Sequence, residues 1–231
     1  MVEPTSIAVE LELAGAGAGW TDATADVRAQ VPIRVRYGIT SGGGPRDRCA
    51  QPGAMTFALD NSNGNAGGAA GYYSPGHASA RAGFDLGIGV RLTIVYAGVT
   101  YHKFRGRLGV VQVQPDPHGP RMVLCTAYDW FDDALRARLK QIAVQVDKRG
   151  DELFDVLVAA MPVAPDATTK LGQGRETYAL ALDAKSGEGL PVLAELQRLA
   201  LSEAGYIYPR GTVAGGAHGT GSLVVYESRT D

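Results

Sequence analysis

Histidine is the side chain best suited to proton transfer and metal binding at neutral pH, and this sequence contains four copies that lie far apart. They are His77, His102, His118 and His218. None of them belongs to an H-E-x-x-H pair, which would place two metal ligands on one face of a helix. Only His102 falls in a predicted strand, and histidines without partners in strands and loops are mostly exposed to solvent. The histidines therefore predict neither a metal site nor a catalytic base.

The cysteines, Cys49 and Cys125, are too few for a four-ligand zinc site and do not form a C-x-x-C pair. A single disulfide between them is possible, but we favour two free thiols. The sequence also lacks the G-x-S-x-G turn that exposes the serine of many hydrolases. A nucleophile activated by a neighbouring base is therefore not predicted.

Paired carboxylates occur at Asp132-Asp133 and at Asp151-Glu152. Both pairs fall in the first turn of a predicted helix, where negative charge is stabilised by the helix dipole. A glycosidase would need two carboxylates brought together from distant segments, and one sequence cannot show such a meeting. A role at the helix ends is sufficient to explain both pairs.

Two glycine-rich stretches have to be compared with nucleotide-binding loops. Residues 67–71 are not followed by the Lys-Ser or Lys-Thr of a phosphate-binding loop, and the pattern Gly15-x-Gly17-x-Gly19 is followed by Trp20 and no predicted helix. Both stretches are typical of flexible loops. We therefore predict no catalytic, cofactor-binding or metal-binding residue, and no cofactor.

Aromatic and basic residues offer surfaces for binding rather than for catalysis. Most of the tyrosines and tryptophans flank strands and turns, which favours core or interface packing over sugar binding. The candidates for an exposed aromatic patch are Tyr72 and Tyr73. Five arginines are concentrated in the first fifth of the chain: Arg28, Arg34, Arg36, Arg46 and Arg48. They form either a solvated strand face or an ion-pair surface between subunits.

The composition is that of an ordinary globular chain of 231 residues, with 45% hydrophobic and 20% charged residues. The formal net charge of -2 argues against a dedicated nucleic-acid binder, although a channel wall past which DNA slides is not excluded. The longest apolar stretch, residues 154–164, is interrupted by Pro162 and is too short to cross a membrane. No secretory signal is visible at the N-terminus.

Alternation of apolar and polar residues predicts that the first half of the chain is nearly all β-structure. The predicted strands cover residues 6–13, 31–37, 54–59, 90–96, 100–113 and 121–127. Ala97-Gly98 is the predicted turn of a hairpin. Between the strands lie glycine-rich loops, of which the longest spans residues 63–82. We expect these loops to become ordered against neighbouring subunits.

Helical periodicity begins after residue 129. It predicts helices over residues 130–142, 151–160 and 190–204, and strands over residues 176–182, 206–208 and 223–226. Residues 161–174 are predicted to form a boundary. The expected fold is mainly β with a few helices (α+β): a β-barrel or sandwich domain over residues 1–129, a helical connecting segment over 130–175, and a second β/α domain over 176–231, either complete or incomplete at its C-terminus.

Several fragments of the first half, taken in order, resemble the opening domain of phage tail proteins of the baseplate-hub or tail-tip type. The fragments are Trp20-Thr21-Asp22, Asp26-Val27-Arg28, Pro52 to Gly64, Tyr73-Ser74-Pro75-Gly76, Gly89 to Leu92, Gly98 to Arg107, and Cys125 to Trp130. The helix over residues 190–204 and the strands after it resemble the second part of such hubs. Chains of this family usually continue beyond such a strand, so this chain is either a shorter version or part of a longer protein.

The resemblance implies a tail-tube-like β-barrel that forms a ring around a central channel, with strands of adjacent subunits continuing one another. It implies self-association, with a homotrimer favoured and a hexamer possible. The other implied partners are the distal tail or tube protein, the tape measure and the tail fibre or receptor-binding proteins, with DNA only in transit and no membrane insertion. Iron–sulfur clusters occur in some tail-tip proteins, but Cys49 and Cys125 are too few to hold one.

The protein is then expected in the virion tail after synthesis in the host cytoplasm, burying more than about 1,000 Å² against its neighbours. One alternative is a sixfold distal-tail or tail-tube ring protein. Alternatives of another class are a carbohydrate- or receptor-binding β-domain and a tail-associated cell-wall hydrolase. The hydrolase would need a cluster of His, Asp, Glu or Cys in a cleft.

Overall fold

The computed structural model describes residues 6–15, 17–39, 44, 47–114, 121–139, 142–182, 189–213 and 222–229. The chain divides into two compact units: residues 1–36, 54–129 and 213–215 form the first, and residues 37–53, 130–212 and 216–231 form the second. The mainly β fold class with a few helices is confirmed. The sequence predicted three consecutive parts, and that division remains a proposal.

The first unit is built from antiparallel strands. They are β1 (Ser6–Glu12), β2 (Thr21–Asp22), β3 (Arg34–Gly38), β4 (Gln51–Asp60), β5 (Gly89–Tyr96), β6 (Val99–Gln114) and β7 (Met122–Tyr128), with a 3-10 turn at Thr24–Asp26. The order of neighbouring strands is β2-β1-β5-β6-β7-β4-β3. The predicted turn between β5 and β6 is confirmed: Ala97 and Gly98 both have positive φ, as a tight hairpin turn requires.

Alternate residues of these strands face one apolar core. Val9 and Leu11 of β1 are fully buried, and so is Met55 of β4. Phe57 and Cys125, which are directly opposite each other in β4 and β7, are each 1% exposed. The two-residue period that predicted the strands therefore also identified their buried face.

Residues 21–28 join the two ends of the sheet. Leu11 of β1 pairs with Thr21, and the Ala23 amide donates to the Val9 carbonyl at 2.9 Å. The same short segment then reaches β4, where Val27 bridges to Leu59 and the Arg28 amide donates to the Ala58 carbonyl at 2.9 Å. Residues 21–28 therefore close the sheet of the first unit into a barrel through hydrogen bonds within one chain.

The second unit combines three helices with two small sheets. Its elements are α1 (Trp130–Arg136), β8 (Gln145–Arg149), α2 (Gly150–Ala159), β9 (Ala167–Leu171), β10 (Thr177–Ala181), α3 (Val192–Ser202), β11 (Tyr206–Val213) and β12 (Ser222–Glu227). Strand β12 pairs antiparallel with β11 and parallel with β9, while β8 and β10 form a separate two-stranded ribbon. None of the described helices is long and apolar enough to cross a membrane.

The helices bury their apolar faces in a core of their own. Phe131 of α1, Phe154 of α2 and Leu196 of α3 are fully buried, together with Tyr226 of β12. Pro191 immediately precedes α3, as its position near the first predicted turn indicated. Cys49 and Ala50 belong to this core because the Ala50 amide donates to the Ile207 carbonyl at 2.7 Å.

The helix predicted over residues 130–142 is too long. Helix α1 ends at Arg136, and the backbone of the next residues pairs with the chain just before and at the start of α3. The Leu139 amide donates to the Leu190 carbonyl at 2.9 Å, and the Val192 amide donates to the Ala137 carbonyl at 3.1 Å. Ala137 and Leu139 make these tertiary hydrogen bonds in place of helical ones. The helical spacing of apolar residues therefore extends past the end of the helix itself.

Two strands of the second unit were not predicted. Strand β9 lies in residues 161–174, which were expected to be a boundary, and it pairs in parallel with β12, more than fifty residues further along the chain. Strand β8 has the mixed sequence Gln-Val-Asp-Lys-Arg, whose apolar content is too low to give a strand signal. Both strands form because a partner strand is supplied by the fold.

Hydrogen exchange tests the internal closure of the barrel. In dilute protein that sediments as a monomer, we expect the amides of Ala23 and Arg28 to exchange at least about 100-fold more slowly than the exposed Gly98 amide at the hairpin turn. If closure required a ring of copies, these two amides would exchange as fast as Gly98 in the monomer.

Candidate assembly surfaces

The two carboxylate pairs serve the helix starts, as the sequence predicted. In α1, the Arg136 Nε is 2.9 Å from the Asp132 Oδ2. In α2, the Glu152 carboxylate accepts the Arg149 amide at 2.9 Å, and Asp151 accepts the Gly174 amide at 2.9 Å. Burial would raise the pKa of Asp151, but the hydrogen bonds from Arg149 and Gly174 hold that pKa below its usual range. Asp151 and Glu152 therefore stabilise the start of α2.

The cysteines and histidines do not converge in the described residues. Cys49 and Cys125 are both free and buried, and burial raises the pKa of each thiol to about 12, which suppresses the reactive thiolate at neutral pH. His77 is exposed, as expected, whereas His118 and His218 lie outside the described residues. Within the part of the chain that the structure describes, no group of three His, Cys, Asp or Glu side chains could hold a metal ion.

His102 is buried, contrary to the expectation of exposure, and a β-bulge places it opposite Thr93 on the polar face of the sheet. The register between β5 and β6 shifts after Leu92, so that Leu92 faces Phe104 while Thr93 faces His102 and Lys103 is the extra residue. His102 is 5% exposed, and its Nδ1 lies 3.3 Å from the Thr93 hydroxyl. Burial and the charge of Arg91 lower its pKa, although Glu10 opposes this, so the ring is neutral at pH 7.

A buried ion pair lies beside His102. The Arg91 guanidinium donates twice to the Glu10 carboxylate, at 2.9 Å from Nε and 2.8 Å from Nη2, and the Thr93 hydroxyl donates to the same carboxylate at 2.7 Å. Burial would raise the pKa of Glu10, but the hydrogen bonds from Arg91 and Thr93 outweigh it and lower that pKa. The Arg91 side chain is 9% exposed, so this pair fixes β1 against β5 with little screening by solvent.

Trp20 lies on this ion pair. The guanidinium carbon of Arg91 is 4.5 Å from the centre of the indole ring, and that of Arg105 is 4.9 Å from it. Cation–π attraction to two arginines therefore holds the end of the glycine-rich turn before β2 against the polar face of β1, β5 and β6. The Trp-Thr-Asp fragment of the resemblance thus has a physical role, because Trp20 anchors the segment that closes the barrel.

The long loop over residues 63–82 is held by its own chain. The Asp26 carboxylate accepts the Ala66 amide at 2.8 Å and the Tyr73 hydroxyl, and Arg81 donates to the same hydroxyl at 2.6 Å. The buried side chain of Asn61 accepts the Tyr73 amide at 2.8 Å. We expected this loop to become ordered against a neighbouring subunit. The structure instead shows hydrogen bonds from the loop to its own chain.

The aromatic pair that could have bound a sugar is part of the core. Tyr73 is fully buried, and its ring meets Phe84 edge to face at a centroid distance of 5.0 Å. Tyr72 packs beside it at 5.1 Å and is only partly exposed. These two rings do not form an exposed patch of the kind that stacks on sugars.

The early arginines do not form one surface. Arg28 pairs with Asp60 at 2.7 Å within the first unit, and Arg48 donates to the Ala204 carbonyl at 2.6 Å within the second. Arg34 and Arg36 are exposed on β3, and Arg46 lies outside the described residues. Among the described arginines of this group, Arg34 and Arg36 are the candidates for ion pairs with another subunit.

An apolar surface extends from the core of the first unit to the end of the β5–β6 hairpin. We call it the hairpin surface, and it consists of Ile7, Ile94, Tyr96, Val99 and Tyr101. Ile7 is 44% exposed, Tyr96 40% and Val99 39%, although all lie on the face that carries the core residues further along the strands. Exposed apolar side chains grouped on one face mark an interaction surface more often than single ones do.

A second apolar surface lies on the β8–β10 ribbon, and we call it the ribbon surface. Val146 and Leu180 face each other across the ribbon and are 57% and 70% exposed, with Val144 beside them at 49%. Strand β8 is protected from further pairing by its charges and by the positive φ of Asp147. Strand β10, Thr-Tyr-Ala-Leu-Ala, has no charge and no proline, so its outer edge is suited to pairing with another chain.

Removing one hydroxyl tests the internal fixing of the long loop. Tyr73→Phe leaves the ring in place but takes one partner from both Asp26 and Arg81, so we expect a loss of about 1–3 kcal/mol in the free energy of unfolding. Limited proteolysis should also cut residues 63–82 faster. Tyr72→Phe is the matched control and should change neither, and equal behaviour of the two variants would contradict the assignment.

The ion pair of Glu10 predicts a defined pH dependence. Because its pKa is lower in the folded chain than in the unfolded one, its contribution is present above the unfolded pKa and is lost as the pH falls through the folded pKa. Glu10→Gln should therefore cost about 1–3 kcal/mol at pH 7, and the loss should shrink as the pH is lowered below the usual glutamate range, measured by urea denaturation. Glu176→Gln, at an exposed position, serves as the control. A loss for Glu10→Gln that does not change with pH would show that the carboxylate charge is unimportant.

No protein-family model and no curated protein sequence matches this chain. Solved structures do. The 43 kDa tail protein of prophage MuSo2 from Shewanella oneidensis matches with a TM-score of 0.57 and 10% identity, over 95% of this chain and 55% of that one. The tail protein from Neisseria meningitidis MC58 matches with a TM-score of 0.52 and 12% identity, over 95% and 50%.

A third match is a chain of the Francisella PdpA-VgrG complex, with a TM-score of 0.50 and 8% identity, over 100% of this chain and 33% of that one. The chain spans about half the length of the two tail proteins, 55% and 50%. Identities this low show the fold alone. The chain has the fold of phage tail proteins, and the resemblance to the baseplate-hub and tail-tip type is confirmed at that level.

Proposed function

We propose that this protein is a structural component of a phage or phage-like tail and forms a ring at the baseplate hub or tail tip around the central channel. The observation that carries the proposal is the match of 95% of the chain to two tail proteins from different bacteria. The sequence fragments that resemble hub proteins fall on elements with a clear structural role, since Trp20 anchors the closing segment, and Asp26 and Tyr73 fix the long loop.

Such a component needs a stable folded domain to form the channel wall and exposed surfaces that bind its neighbours. The first unit supplies a barrel that closes by its own hydrogen bonds, so each subunit can enter the assembly already folded. The hairpin surface and the ribbon surface supply exposed apolar side chains for contacts between subunits and with neighbouring tail proteins. The chain is expected to bury more than about 1,000 Å² against its neighbours in a stable ring.

The proposed partners follow from that position. The chain associates with itself, as a homotrimer in preference to a hexamer, and with the distal tail or tube protein, the tape measure and the tail fibres. DNA passes through the channel without tight binding, in keeping with the formal net charge of -2. The proposed location is the virion tail. A barrel domain over residues 1–129, a connecting segment over 130–175 and a second domain over 176–231 remain the proposed division.

The proposal is of a non-enzymatic protein, without catalytic, cofactor-binding or metal-binding residues. A sixfold distal-tail or tube ring is the nearest alternative, and it differs only in symmetry. A carbohydrate-binding domain is less well supported, since Tyr72 and Tyr73 pack in the core. A cell-wall hydrolase is less well supported as well, since the candidate acids Asp132, Asp151 and Glu152 are engaged in hydrogen bonds or ion pairs at helix starts.

Electron microscopy of the purified protein and of tails that contain it tests the proposal. We expect rings with threefold symmetry around a channel; sixfold rings would favour the distal-tail or tube alternative. Leu180→Asp should abolish ring formation by placing a charge on the ribbon surface, while the protein stays folded by circular dichroism. Leu86→Asp is the matched control, because Leu86 is 57% exposed and lies outside both surfaces. A stable monomer at all concentrations, absent from tails, would contradict the proposal.

A further inference from the structure

Each copy of this chain carries two different apolar surfaces. The hairpin surface belongs to the first unit and includes the exposed side chains of Ile7, Tyr96 and Val99. The ribbon surface belongs to the second unit and includes the exposed side chains of Val146 and Leu180. Exposed apolar side chains in such groups mark sites of contact with another protein, so both surfaces call for a partner.

The unpaired charge beside the hairpin surface is positive. Lys103 is the extra residue of the β-bulge in β6, and its side chain is exposed. Its Nζ lies 5.0 Å from the centre of the Tyr101 ring, which is part of the hairpin surface. Lys103 has no carboxylate partner among the described residues, since the nearby Glu10 already pairs with Arg91.

The unpaired charges beside the ribbon surface are negative. Asp147 lies within β8 and Glu176 directly precedes β10, and both side chains are exposed. Neither has an ion pair in the part of the chain that the structure describes. The basic residues of β8 are already paired, because the Lys148 Nζ lies 3.7 Å and the Arg149 Nε 3.1 Å from a carboxylate oxygen in the first turn of α2. The two apolar surfaces therefore carry unpaired charges of opposite sign.

We infer that the hairpin surface of one copy packs on the ribbon surface of the next copy. The inference rests on the proposed function, because a ring made by rotation about a channel requires two different surfaces to meet. A surface that met its own counterpart would instead close a pair of copies. Contact between like surfaces would also bring Lys103 towards Lys103 or Asp147 towards Asp147, whereas contact between hairpin and ribbon brings opposite charges together.

The apolar and the charged side chains have different roles in this contact. Tyr96 and Val99 of one copy and Leu180 of the next lose water on contact, and this burial supplies most of the affinity. Lys103 and Asp147 are exposed, so their attraction is partly screened and adds little energy. Their main effect is to disfavour contact between two hairpin surfaces or two ribbon surfaces.

Mixing two variants of the full chain tests which surfaces meet. Val99→Asp disables the hairpin surface and Leu180→Asp disables the ribbon surface, so each variant alone should sediment as a monomer. An equimolar mixture should form one-to-one dimers, because the intact ribbon surface of the first variant meets the intact hairpin surface of the second. Both variants should keep the circular dichroism spectrum of the wild-type chain.

The other outcomes of this experiment separate the inference from the proposed function. Dimers of either variant alone would overturn the inference, since a surface would then bind its own counterpart. Rings that persist in either variant would overturn it too, because another tail protein would then be the partner of that surface. Wild-type rings without mixed dimers would overturn the inference alone, whereas a wild-type chain that forms no rings would contradict the proposed function itself.

Exchange of the two charges is a second test that leaves the apolar side chains in place. Lys103→Glu and Asp147→Lys should each weaken ring assembly about tenfold at low salt, and the double variant should restore it. The control combines Lys103→Glu with Asp85→Lys, which gives the same net charge as that double variant. Asp85 is exposed and lies outside both surfaces, so assembly of the control should stay weak. Equal assembly of the two double variants would contradict contact between the hairpin surface and the ribbon surface.

Discussion

The pairing of residues 21–28 with both β1 and β4 is the constraint on which the rest of the first unit depends. Without this segment, the outer edge of β1 and the part of the β4 edge that β3 does not cover would expose unpaired amides and carbonyls. Here the Ala23 amide satisfies the Val9 carbonyl at one end, and the Arg28 amide satisfies the Ala58 carbonyl at the other. Trp20 holds the segment through cation–π contacts with two arginines. Asp26 holds it by accepting a hydrogen bond from the long loop.

Closure of the barrel within one chain limits which parts of the chain are left for contacts between copies. Because β1 and β4 both pair with the closing segment, the proposed contacts between copies would depend on side chains at the hairpin surface and on the edge of β10 that has no partner strand among the described residues. These surfaces are apolar and exposed, whereas the polar groups beneath Trp20 and around Asp26 are satisfied within the chain. The polar contacts of the first unit are therefore internal, and the exposed apolar side chains are the ones that the proposed assembly would use.

Much of the first unit could be predicted because its signals are local. The strands β5, β6 and β7 were placed to within one or two residues, since a two-residue period and a tight hairpin turn need only neighbouring residues to be recognised. The same reasoning failed for residues 137–139, which pair with the chain near Pro191, and for β9, whose partner β12 is distant in sequence. The position of His102 opposite Thr93 depends on a bulge in β6, which leaves no mark in the pattern of apolar residues.

By itself, the sequence determined the mainly β class, the buried faces of the strands, the helices α2 and α3, and the resemblance to tail proteins. These follow from periodicity and from ordered fragments, which a linear chain displays. Only the tertiary structure decided that the barrel closes on itself, that Tyr72 and Tyr73 are core residues, and that residues 48–50 belong with β11 in the second unit. Such facts depend on which distant amides and carbonyls meet, and hydrogen bonds between remote segments have no signature in the spacing of residues.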